Sequence, residues 1–184
     1  MRRAAAVALT LALAAVVTGL LLGRDGGGSD KAVAHVGGEA ITKHQLDAVV
    51  EHFRLEAKAE GVAFPAEDSA AFRRIRNRLV GLLVYRTELR QAARRLGVVV
   101  SRLQVLKRMG ASSTDEEAGR DAFDYGSAEA QLLYEAIFRK VTRGVKAPAR
   151  AELAARRNEA MNRYVARLRR ETRVRYEPGF GPSS

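Results

Sequence analysis

The chain has no cysteine, no tryptophan, only four prolines and three histidines, and aromatic side chains at 6% of its 184 positions. Without cysteine there is no disulfide, no thiolate zinc site, no cysteine nucleophile and no thiol to carry a lipid after a signal peptide. His44 and His52 stand eight apart on one predicted helix, so the i, i+4 pair of a helical metal site is missing; with His35 on a predicted strand, all three histidines are expected at the surface and no metal or cofactor is expected. The glycines at 26–28 and 37–38 match neither GxxxxGK[ST] nor GxGxxG, which leaves nucleotide binding without support. Acid is scarce toward one end: residues 140–184 hold 12 Lys+Arg against 4 Asp+Glu, whereas residues 1–139 hold 20 against 17. Arginine supplies 26 of the 32 cations and alanine is abundant, a pairing that GC-rich coding produces without any binding pressure. The formal charge of +11 is therefore not by itself a sign of a polyanion partner.

What the chain does have is the composition of a globular domain, 47% hydrophobic and 29% charged, at a length that allows one domain plus an anchor or tail. Arg2 and Arg3 precede residues 4–22, nineteen positions without a charge. As a helix these span about 28 Å at 1.5 Å per residue, close to a bilayer core of about 30 Å. The two arginines stay cytoplasmic, which sends the chain beyond Leu22 to the outer side of the membrane. A cleaved secretory signal competes, but its apolar region usually runs about 7–15 residues and ends in a small-x-small site. Here Leu20, Leu21 and Leu22 stand where small residues are wanted. Residues 1–23 are thus expected to be a retained signal anchor and transmembrane helix, and residues 24–31, with Gly26 to Gly28, a flexible linker. The expected location is the plasma membrane, single-pass, with the C-terminal domain extracytoplasmic, or secreted if the signal is cleaved. N-terminal sequencing of the exported protein decides between them: retention of residues 1–23 is expected, and a mature chain beginning between Thr18 and Asp30 would contradict it.

Beyond the linker the apolar spacing is helical almost throughout. Ala32 to Val36 is a short β-prone run and Gly37-Gly38-Glu39 a tight turn, with helix expected at once behind it. Thr42 and Gln45 form a capping box ahead of Leu46, Val49, Val50, Phe53 and Ala57. Gly61 and Pro65 break that helix. Asp68 or Ser69 caps the next, whose stripe runs from Phe72 to Leu96 with Gly97 as C-cap. Ser101 and Gln104 make a second capping box on a short helix ended by Gly110. Thr114 before Asp115, Glu116 and Glu117 puts three carboxylates at a further helix start, where the dipole favours them. Gly126 and Ser127 are expected to restart the chain into a helix carrying Ala130, Leu133, Ile137 and Val141. Pro148 opens the last helix, with Leu153, Met161, Tyr164, Val165 and Leu168 inward, before an extended Arg173 to Tyr176 and a frayed end at 178–184. The expected fold is all-α: a helical bundle over residues 32–177 with one or two short terminal strands, preceded by the transmembrane helix and followed by a disordered tail.

The run Val33-Ala34-His35-Val36-Gly37-Gly38-Glu39-Ala40-Ile41-Thr42, with Gln45-Leu46 opening a helix, resembles the start of the SurA/PrsA-type chaperone domain. Ala92-Ala93-Arg94-Arg95-Leu96-Gly97-Val98-Val99-Val100-Ser101 with Val105 is similar to that family's long helix, Leu-Gly, β-branched residues and Ser at a short helix. Arg163-Tyr164 to Leu168-Arg169 and Val174-Arg175-Tyr176 resemble its final helix and strand. Position 37 is Gly where the family usually has Asn, a change that a turn tolerates because both accept positive φ. Many relatives carry a parvulin-type prolyl isomerase domain before the last helix, and here only residues 142–148 separate the two helices. The resemblance implies a SurA N-terminal-like helical module that binds unfolded or exported polypeptides in the extracytoplasmic space without catalysis.

Two other functions stay open beside this one: a prolyl isomerase of the same family, and a structural adaptor whose basic helices dock anionic envelope components. Residues 73–108 hold 11 Lys+Arg with Glu88 as the one acid, yet a solvated helix face accounts for most such runs, and export argues against nucleic acid as partner. Asp115, Glu116, Glu117 and Asp121 are read as capping charge, not as catalytic acids. Phe53, Phe72, Phe123 and Tyr164 lie on apolar stripes and are assigned to the core. Tyr85 and Phe138 lie off-centre on their helices, and these two are the candidate peptide-binding residues.

Overall fold

A computed structural model of the chain describes residues 31–110 and 122–181. Its elements run β1 (Ala32–Val36), β2 (Glu39–Thr42), α1 (Lys43–Ala59), α2 (Ala70–Leu96), α3 (Arg102–Arg108), α4 (Ala122–Thr142), α5 (Arg150–Glu171) and β3 (Val174–Tyr176). Among the described residues no helix is long and apolar enough to cross a membrane. The expected anchor at 1–23, nearly all of the linker and the acidic run at 115–121 lie outside them.

The N-terminal strand belongs to a three-stranded antiparallel sheet of order β2-β1-β3, so the all-α expectation is corrected to five described helices on a small sheet. Pairing of β1 with β3, through Ala34 opposite Tyr176 and Val36 opposite Val174, joins the two ends of the domain. β2 is the strand that the sequence did not reveal. Four residues are too few to display an alternation, and Thr42 ends the strand while its hydroxyl already accepts from the Gln45 amide as the cap of α1. The hairpin turns on Gly37 and Gly38, at φ 55° and 89°, the two positive values that a tight two-residue turn needs. At Gly37 there is a second requirement. A Cβ would stand 2.7 Å from Gln91 Oε1, and Gln91 Nε2 donates to the Val36 carbonyl at 2.7 Å, fastening the hairpin to α2. A register shift between Ala32 and Ala34 puts an extra residue into β1, which is how the adjacent Val33 and Ala34 are both buried.

Both capping boxes form, at Thr42 with Gln45 and at Ser101 with Gln104; Ser69 caps α2, and Gly97 closes it in the left-handed conformation at φ 60°. Two clusters fill the interior. The first gathers Val33, Val36, Ile41, Leu46, Val50, Leu79 and Val80 from the sheet, α1 and the first half of α2. The second gathers Leu89, Ala93, Leu133, Ile137, Met161 and Leu168 from the second half of α2, α4 and α5. The helical bundle expected over residues 32–177 would place its first and last helices in one core. They instead occupy separate clusters, bridged by the 27-residue α2 and by β3 beside β1. Residues 178–181 do not fray: Phe180 packs on the first cluster, the Arg76 guanidinium lies 4.7 Å from its ring centroid, and Arg76 donates to the Gly179 carbonyl.

The expected restart at Gly126 is also corrected, because α4 runs through it unbroken. Its glycine serves packing. A Cβ there would meet Arg86 Nη1 at 2.8 Å, so glycine lets the buried Arg86 of α2 lie against α4.

Candidate functional site

α1 leaves the hairpin with two apolar lines. One, through Leu46, Val49 and Val50, enters the core. Beside it Ala48 and Leu55, seven residues apart on α1, line an open groove of about 800 Å3 together with Leu83 of α2 and Phe123 of α4, and the buried Ile41 of β2 is also in its lining. Leu55 is 57% exposed, a large aliphatic side chain left in water. The lining also holds His44, Gln45, Glu51 and His52 of α1 and Arg86, Thr87 and Arg90 of α2.

Phe123 gathers side chains from α1 and α2 beside the groove. The His52 ring stacks on it at 4.3 Å, Phe53 meets it edge-on at 4.9 Å, and the Arg86 guanidinium lies 4.6 Å from its centroid. Arg86 Nη2 donates to the Phe123 carbonyl at 3.2 Å and to Ser127 Oγ at 2.5 Å, while its Nε is buried without a partner. Burial and neighbouring Arg90 push the Arg86 pKa down, and Glu129 and Asp124 push it up. Arg90 pairs with Glu129 at 3.2 Å. Arg86 is thus a cation bolted between α2 and α4.

A smaller groove of about 440 Å3 lies between α2 and α4, lined by Leu82, Tyr85, Ala130, Gln131 and Tyr134, with Arg86 on its shared wall. Tyr85 and Tyr134 are each 40% exposed. The second candidate residue, Phe138, packs into the second core cluster, its ring 6.4 Å from that of Tyr134. Tyr85 therefore stands on an open surface, whereas Phe138 stands behind one. Ala48, Leu55, Arg86 and Tyr134 were not singled out from the sequence; the seven-residue spacing of Ala48 and Leu55 on α1, off the core stripe, was the signal available.

Glu88 is buried on α2 near Arg169. Burial raises its carboxyl above the ordinary carboxylate range, with Arg169 pulling the other way. Since the folded pKa lies above the unfolded one, this group favours the folded state below the unfolded value, and that contribution is lost as pH rises through the folded pKa. Glu88→Gln is therefore expected to raise the urea midpoint at pH 7 and to leave it unchanged near pH 3, read from denaturation curves at both pH values.

Among the described residues no group of three or more His, Asp or Glu is placed to hold a metal ion. What the arrangement offers is an open apolar trough on a helical scaffold whose ends a small sheet ties together. The profile of the SurA-like N-terminal domain matches residues 1–132, and the chain belongs to that family. It is a chaperone-like module of an extracytoplasmic family, and no parvulin domain is detected in it. No curated protein and no solved structure matches the chain. The match ends within α4; α5 and β3, outside it, are tied to the matched part by the second core cluster and the β1–β3 pairing.

Proposed function

We propose that this chain is an extracytoplasmic holdase, which keeps extended apolar segments of unfolded or exported polypeptides in the α1 groove with no catalytic step and no cofactor. The observation that carries this is the exposed pair Ala48 and Leu55 of α1 lining an open trough with Leu83 and Phe123. From His44 to Leu55 the α1 side of the trough runs about 17 Å at 1.5 Å per residue, the length of about five extended client residues at 3.3 Å each. Its walls are side chains, so contact is apolar and tolerant of client sequence. Tyr85, with Tyr134 beside it and Phe138 behind, is the second contact point, on the other side of Arg86. Residues 1–23 hold the module at the outer face of the plasma membrane.

Leu55→Glu tests the groove. It is expected to weaken client binding about tenfold or more, since one buried leucine contributes roughly 1.5–3 kcal/mol, while the melting temperature stays put because this side chain is exposed. Undiminished suppression of client aggregation by the variant would contradict the assignment. The full-length protein is also expected to leave proline isomerisation at its uncatalysed pace of tens of seconds; an acceleration that survived repurification would restore the isomerase alternative.

A further inference from the structure

Several arginines of the basic helices are paired in the fold: Arg156 with Glu152, Arg163 with Glu159, Arg167 with Glu171 and Arg94 with Glu39. One end of the molecule is different. The chain carries no acid from Leu89 to Gly110 or from Ala136 to Ala151, and these stretches include the α2–α3 and α4–α5 turns. The structure brings the two turns together: α3 packs on α4, and Lys140 Nζ stands 4.0 Å from where a Cβ on Gly97 would lie. Arg102, Lys107, Lys140, Arg143, Lys146 and Arg150 are all exposed here, and none has an acidic partner among the described residues. Val99 and Leu103 share this end, 85% and 60% exposed.

We propose that this end of the bundle docks on the surface of an anionic lipid bilayer, with Val99 and Leu103 entering the boundary between headgroups and acyl chains and the six cations facing lipid phosphates. The apolar pair selects the partner. A nucleic acid or an acidic polysaccharide answers the charge but gives the valine and leucine nothing to enter, and a second copy of the chain sets like charge against like. A bilayer answers both, as it does for basic amphipathic surfaces generally. Each cation near an anionic leaflet strengthens attachment about fivefold, so the Lys140→Gln, Arg143→Gln, Lys146→Gln triple variant should weaken docking about a hundredfold.

The absence of cysteine makes the test clean, because Leu103→Cys is the sole site for a polarity-sensitive dye. The full chain so labelled is reconstituted into vesicles of phosphatidylcholine alone or with one third phosphatidylglycerol, with Val62→Cys as the control position. A blue shift at position 103 in the anionic vesicles only, quenched by spin-labelled lipid, absent at position 62 and reversed by 0.5 M salt or by the triple variant, is the expected result. Equal emission in the two vesicle types, a shift indifferent to salt, or the same shift on adding a soluble polyanion without lipid would each overturn the proposal. The salt arm uses the unaltered cationic surface, so it decides even if the triple variant misfolds.

Discussion

Leu168→Ala is expected to cost about 2–5 kcal/mol, the range for truncating a buried leucine, out of roughly 5–15 kcal/mol for a typical domain. Leu168 sits in the second cluster beside Met161 and Ile137, with 7% of its surface exposed. Arg167→Ala next to it is expected to change the urea midpoint little, because Arg167 is exposed and its bond to Glu171 is a surface ion pair, worth about 0–1 kcal/mol. The contrast separates an integral last helix from a detached basic arm, and it bears on α5 and β3, the part of the fold beyond the family match. Equal and small effects would place α5 outside the core.

The second large effect has an unusual sign. In an open helix Gly→Ala is stabilising by about 1 kcal/mol. At Gly126 the new methyl would stand 2.8 Å from Arg86 Nη1 and drive the guanidinium off Ser127 and the Phe123 carbonyl. Each such bond to a charged group contributes about 1.5–3 kcal/mol, so losing both against the helix gain is expected to make Gly126→Ala destabilising by about 2–5 kcal/mol net. In an Arg86→Met background the same change should become neutral or stabilising. A double-mutant cycle on urea midpoints reads the reversal directly; additive effects would mean that Gly126 and Arg86 do not share their space.

The helices were legible because their signals are local. Thr42 with Gln45 and Ser101 with Gln104 mark starts, Gly97 marks an end, and the Leu46, Val49, Val50 spacing marks a buried face. β2 was illegible because four residues ending in a helix cap carry no period of their own. Gly126 misled for a related reason: glycine breaks helices on average, and only the tertiary approach of Arg86, forty positions earlier, shows why it is tolerated here. The groove was half legible. Phe123 and Leu83 were read as core, and they do line an interior wall, but whether a wall is covered depends on how α1 leans on α2, which no spacing reports. The charge was half legible: on α5 the glutamates four residues from Arg156, Arg163 and Arg167 can be read from the sequence, whereas Arg90 and Arg94 of α2 find Glu129 and Glu39 on other elements, which no spacing reports.

Client contact along α1 is tested most directly by photocrosslinking from single cysteines placed in this cysteine-free chain. A benzophenone on Leu55→Cys, in the groove, is compared with one on Val62→Cys, which is equally exposed but past the end of α1. With a permanently unfolded polypeptide as client, strong crosslinking from position 55 and little from position 62 is expected, with competition by excess unlabelled unfolded chain and none by its folded form. Equal labelling from the two positions, or capture of folded and unfolded chains alike, would contradict a client site in the α1 groove.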